Sequence, residues 1–155
     1  MADRNAVQRA FDRFGNESGF EKKSGSWYSR SDEVVSISNL QKSNYGPQYY
    51  VNQSFWLRGI EDLQYPKSHQ AHIVARLEGL LPSLEERLSK LLDLESDYGE
   101  EERVDELVSV LNSHLLPLIR QADSISGLRA MANSGTFASA GIRGPAQLVL
   151  SEQER

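Results

Sequence analysis

The sequence predicts an α+β domain: an N-terminal helix, a three- to four-stranded antiparallel sheet, and a helical C-terminal half packed on one face of that sheet. Two patterns carry the prediction. Between residues 25 and 77 apolar and polar residues alternate at the two-residue period of a strand, whereas between 83 and 133 leucines recur every three or four residues, as along one side of a helix. A length of 155 residues suits one domain, so the chain is read as a single unit over 1–155, divided into a helix (1–15), a sheet region (25–77), a helical region (83–133) and an irregular tail (134–155).

The opening helix follows from Val7, Ala10, Phe11 and Phe14, whose offsets of 0, 3, 4 and 7 make one apolar stripe. Asp3 or Asn5 can cap its start and Gly15 is the expected stop. The segment GSWYSR (25–30) is rich in strand-favouring aromatics, and Ser31 and Asp32 turn it into a second arm, EVVSISNLQK (33–42). After the turn at SNYGP (43–47), the stretch QYYVNQSFWLR (48–58) is the clearest strand. Tyr49, Val51, Phe55 and Leu57 share one face with Gln53, and Tyr50, Asn52, Ser54 and Trp56 share the other. Aromatics on both faces predict a central strand, helices on the first face and a partly exposed second face.

Residues 59–70 show no period and read as a loop. HIVARL (72–77) is a fourth strand or a short helix. Pro82 and Ser83 open a helix with a Ser83-x-x-Glu86 capping box and a stripe of Leu84, Leu88, Leu91 and Leu92, closed by Tyr98 and Gly99. A second helix begins at the acidic Glu100 and is kinked or ended by Pro117; a third lies around Ile125, Leu128 and Met131. Ala146 to Leu150 forms a last helical turn with Pro145 at its start.

Composition narrows the chemistry. Seventeen basic residues against 22 acidic give −5, and the absence of cysteine excludes disulfides, thiolate metal sites and cysteine nucleophiles. No apolar run approaches the ~20 residues of a membrane span, and the charged start MADRNAVQRAFDRF lacks a secretory signal, so a soluble, cytoplasmic protein is expected. No nucleophile elbow, S-x-x-K pair or phosphate-binding loop is present, which leaves no catalytic residue to name and no cofactor to expect.

The stretch from Phe14 to Leu57 contains Gly19 and Phe20, Trp27 and Tyr28, then Asn39, Gln41, Lys42, Ser43 and Asn52, in the order GF, WY, N-x-Q-K-S and N. With His72, Ile73, Arg76 and Leu77 downstream, the set resembles the small bacterial domains of unknown function family 4304. The resemblance covers most of the first half and, weakly, the helical second half; the glycine-rich 135–144 lies outside it. It implies an α+β fold and no established activity.

Two sets of candidate binding residues follow from the residues themselves. Trp27, Tyr50, Asn52 and Trp56 are contact candidates on an uncovered sheet face, because interface anchors are enriched in aromatics. Asn39, Gln41, His72 and Arg76 are candidates for a pocket between sheet and helices. Asn39 and Gln41 have two placements: beside Asn52 on one face, pinning strand register or reading a ligand, or, since they share the parity of Val35 and Ile37, toward the helices. His69 and His72 share a side only in a helical turn, and with His114 they make no ligand set, so no metal is expected.

These features predict a non-enzymatic protein-binding module. Ten acids against three bases between Ser83 and Glu106, a net −7, together with the overall charge, suit a basic partner of the kind that bacterial immunity proteins neutralise. A small-ligand domain or enzyme with a pocket between sheet and helices is the alternative. Single-stranded nucleic-acid binding is third: eight of thirteen aromatics lie between Trp27 and Tyr65, yet the overall acidity opposes phosphate.

Overall fold

The computed structural model describes residues 4–152. Helix α1 (Ala6–Ser18) starts at Asn5, whose side chain accepts from the Gln8 backbone N–H at 2.9 Å while the Gln8 side chain accepts from the Asn5 N–H at 3.0 Å. Of the two expected caps, Asp3 lies outside the described residues. The buried stripe is Ala6, Val7, Ala10, Phe11 and Phe14, and each fully buried phenylalanine contributes roughly 1.5–3 kcal/mol. Gly15 does not end the helix. The chain turns instead at Gly19, in the left-handed region at φ 77°, because the missing side chain of Gly15 is used for packing: a Cβ there would lie 2.5 Å from Trp27 Cδ1.

Six antiparallel strands follow in the order β1 (Glu21–Lys23), β2 (Ser26–Arg30), β3 (Val34–Lys42), β4 (Tyr49–Leu57), β5 (Ile73–Arg76) and β6 (Gly141–Ile142), each paired with its neighbour in sequence. The expected three to four strands are the inner ones, β2 to β5. The two additional strands form the edges: β1 is exposed at all three positions and β6 is two residues long, so neither has a hydrophobic alternation. β4 is interior, paired with β3 along its whole length and with β5 from Asn52 to Phe55.

The helical half contains α2 (Leu77–Leu80), α3 (Glu85–Leu92), α4 (Glu100–Val110), α5 (Leu116–Gln121), α6 (Ile125–Asn133) and α7 (Gly144–Ser151). The Ser83–Glu86 capping box does not form. Pro82–Leu84 is a tight 3₁₀ turn, so α3 begins two residues late with Leu84 at its cap. α3 ends at Leu92, short of Tyr98 and Gly99, where the chain becomes extended and the Leu94 N–H donates to the Pro47 carbonyl at 2.9 Å. Before Pro117 the helix widens into a π turn over Leu111–Leu115 and then continues as α5, which absorbs the missing proline N–H without a break. The tail is not irregular: it supplies β6 and α7, with Pro145 at the start of the helix.

Val34, Tyr49, Val51, Phe55, Leu57, Ile73 and Ala75 face the helices and share one core with α1 and the leucines of α3 and α4. Tyr28, Val35, Ile37, Trp56 and Ala71 form a second, smaller cluster on the opposite face. No described helix is long and apolar enough to cross a membrane.

Candidate functional site

The second sheet face is divided in two by the segment 58–72, which crosses from β4 to β5 as a roof. Tyr28 Oη donates to the Pro66 carbonyl at 3.0 Å, Trp56 Nε1 to the Glu61 carbonyl at 2.6 Å, and the Ser54 and Ser68 hydroxyls lie 2.9 Å apart. Tyr65 meets the Tyr28 ring edge-on at 5.4 Å, its hydroxyl bonded to Glu21. Burial pushes the Tyr28 phenol up, and the Tyr65 hydroxyl followed by Arg30 holds the Glu21 carboxyl down. This half is closed.

The other half is open. A concavity of about 530 Å³ is bounded by Ser24 and Ser26, by Asn39 and Gln41 on β3, by Asn52 on β4, by Val74 on β5, and by Lys67, Ser68 and His69 at the end of the roof. Strand register explains the gathering: Asn39 pairs with Asn52, Gln41 with Tyr50, and Asn52 with Arg76, so all five side chains fall on one face. The amides form a chain. Asn39 Nδ2 donates to Ser26 Oγ at 3.0 Å, and Asn52 Nδ2 donates to Gln41 Oε1 at 3.1 Å and Asn39 Oδ1 at 3.4 Å. Among the described residues, Asn52 Oδ1 and Gln41 Nε2 make no hydrogen bond, so the floor of the cleft presents an acceptor and a donor. Beside them, the Arg76 guanidinium lies 4.3 Å over the Tyr50 ring.

The two candidate sets are therefore redistributed. Tyr50 and Asn52 from the contact set, and Asn39, Gln41 and Arg76 from the pocket set, meet on the open half; of the two placements for Asn39 and Gln41, the one beside Asn52 is found. Trp27 and Trp56 are not surface anchors. Trp27 faces the helices, 5.5 Å from Phe11, and Trp56 lies under the roof. His72 does not line the cleft: it is buried behind the roof, its Nδ1 accepting from the Leu57 N–H at 2.8 Å. The cleft opens on the face away from the helices, not between sheet and helices.

Ser24, Ser26, Lys67 and Ser68 complete the cleft and carry no periodic signal. The only hint was the polar stretch after Pro66, which the 3₁₀ turn Ser68–Gln70 brings over the sheet. The three histidines do not converge, and among the described residues no three His, Asp or Glu side chains come together as a metal site.

No curated protein and no solved structure matches the chain. A family model does: the one described as Domain of unknown function (DUF4304) matches residues 14–121, more than two thirds of the chain. That span runs from the end of α1 through β1 to β5, the roof and the whole amide cleft to the end of α5, and the chain belongs to this family.

Proposed function

We propose that this protein is a soluble, cytoplasmic, non-enzymatic interaction module that holds its partner in the amide cleft. One observation carries the proposal: the unfilled donor–acceptor pair of Gln41 Nε2 and Asn52 Oδ1, fixed in place by the Asn39–Ser26 chain behind it. The hydrogen bonds that link Asn52 to Gln41 and Asn39 bias these amides toward one orientation on the sheet, which lowers the ordering cost of binding a group that offers the complementary pair. Neutral amides and hydroxyls from Ser24, Ser26, Asn39, Gln41, Asn52 and Ser68 supply most of the polar groups of the cleft, in keeping with recognition by hydrogen bonding.

A small polar ligand is the second reading, supported by the cleft volume of about 530 Å³, within the range of small-molecule sites. Immobilised wild type, Gln41→Leu/Asn52→Leu and Arg87→Ala, the last on the helical side, separate the readings when exposed to native lysate. A partner retained by wild type and Arg87→Ala but lost by the cleft variant is the expected result. Equal recovery by all three removes the cleft as the interaction site, and a small bound mass in native mass spectrometry of wild type alone favours the ligand reading.

A further inference from the structure

We propose that the segment seated in the amide cleft is an acidic, extended stretch of polypeptide, an inference that rests on the interaction-module reading and gives its partner a sign. The overall charge of −5 points the other way, toward a basic partner, but charge is not spread evenly over the fold. The second sheet face and its roof carry Lys23, Arg30, Arg58, Lys67 and Arg76 against Glu21, which is held by Arg30 and the Tyr65 hydroxyl, Asp62, which is paired with Arg58, and Glu61 at the far end of the roof. Glu78 lies in the neighbouring groove beyond Tyr50.

The ion pairs sharpen the contrast. Between α1 and α4 most acids are paired internally: Glu100 and Glu101 with Arg9, and Glu17 and Asp105 with Arg13. Lys67 and Arg76 form no ion pair among the described residues; Arg76 sits 4.3 Å over Tyr50, a contact that holds the cation in place without neutralising it, whereas Lys23 sits 3.9 Å over the Tyr65 ring within the field of Glu21. Two cations without an ion-pair partner, Lys67 at the end of the roof and Arg76 across from Asn52, therefore flank the amide pair. Gln41 Nε2 is placed to donate to a peptide carbonyl and Asn52 Oδ1 to accept a peptide N–H, while carboxylate side chains of the same segment reach the cations at the rim. A polynucleotide fits less well: stacking needs open ring faces, and Arg76 covers Tyr50 while Tyr28 and Trp56 are buried.

The test is an NMR titration of the full chain with three probes: a capped octapeptide alternating Glu and Ser, its Lys–Ser counterpart, and an oligothymidylate of the same length. The Glu–Ser peptide is expected to shift the side-chain amide signals of Asn39, Gln41 and Asn52, and to bind several-fold more weakly as salt is raised from about 25 to about 250 mM. Lys67→Glu/Arg76→Glu is expected to lower that affinity by about tenfold or more, with the thermal midpoint of the variant checked alongside. No cleft shift with the Glu–Ser peptide, or larger shifts with either other probe, overturns the acidic-segment proposal. The interaction-module reading stands or falls separately, on whether the Gln41→Leu/Asn52→Leu variant loses its captured partner.

Discussion

The Trp56 indole stacks on the His72 imidazole with ring centroids 4.0 Å apart, and the same imidazole accepts the Leu57 backbone N–H through Nδ1 at 2.8 Å. His72 thus extends the β4–β5 ladder by one bond with its side chain, which requires the neutral ring. Burial, and secondarily the charge of Arg143, hold its pKa below the ordinary value against a smaller opposing pull from Glu61. The unfolded chain takes up this proton near pH 6.5 and the folded chain only at lower pH, so between those values the unfolded state binds more protons. The contribution of His72 is complete above about pH 7 and is lost as pH falls through 6.5 toward the depressed folded value. Thermal midpoints recorded from pH 8 to 5 are expected to fall further in wild type than in His72→Gln, whose amide can still accept the Leu57 N–H. Parallel profiles would show that the ring does not titrate in this environment.

Trp27 is a structural tryptophan, wedged between Phe11 and the bare backbone of Gly15. Trp27→Ala is expected to cost about 3–5 kcal/mol. Gly15→Ala, which drives a methyl to 2.5 Å from Trp27 Cδ1, is expected to cost about 1–3 kcal/mol despite the better helix propensity of alanine. Both should lower the urea midpoint at unchanged m-value, while Tyr50→Ala, half-buried on the open face, should cost under about 1 kcal/mol. A Trp27→Ala protein as stable as Tyr50→Ala would return Trp27 to the list of surface anchors.

How far the sequence could be read depended on whether a residue's role was set locally. The stripe of α1, the Asn5 cap and the two faces of β4 follow from period and from chemistry within a few residues, and all three are found. Gly15 was misread because its function is a contact with a side chain twelve positions away, invisible to helix-stop rules. The edge strands β1 and β6 exist only because a neighbour offers free N–H and C=O groups, so Glu21–Lys23 and Gly141–Ile142 carry no pattern of their own. The roof had the same character. Nothing in residues 59–70 signals order, yet the Tyr28–Pro66 and Trp56–Glu61 hydrogen bonds fasten it, burying one predicted anchor and sculpting the cleft from the rest.

Arg103, 2% exposed, has no carboxylate partner among the described residues. Its Nη1 donates to the carbonyls of Lys90 and Leu91 at 3.0 and 2.9 Å and to Ser96 Oγ at 3.0 Å, its Nη2 donates to the Ser96 carbonyl at 2.9 Å, and the guanidinium lies 5.2 Å from the Tyr98 ring. It closes the C-terminal end of α3, where unpaired carbonyls and the helix dipole both favour a cation. Arg103→Met is expected to lose about 1.5–3 kcal/mol, and Arg103→Lys to recover less than half of that, since a single ammonium cannot serve the same fork of acceptors. Chemical denaturation of the three proteins checks the order; full rescue by lysine would mean that charge alone matters there.

Gln53 is fully buried on the helix-facing side of β4, where its Oε1 accepts from Ser38 Oγ at 2.6 Å while its Nε2 has no hydrogen-bond partner among the described residues. One bond therefore stands against one stranded donor. Ser38→Ala removes the bond and leaves the whole amide unsatisfied, with an expected cost of about 1–3 kcal/mol. Gln53→Leu removes the stranded donor together with the acceptor for Ser38, so the two effects oppose and the net change should be small. Replacing both leaves an apolar pair of nearly the same shape, which can be neutral or stabilising. The double variant is therefore expected to be more stable than Ser38→Ala alone, and a double-mutant cycle should return a coupling of about 1 kcal/mol or more. Additive effects would show that the Ser38–Gln53 bond contributes nothing, and that the β3–β4 register rests on its nine-pair backbone ladder.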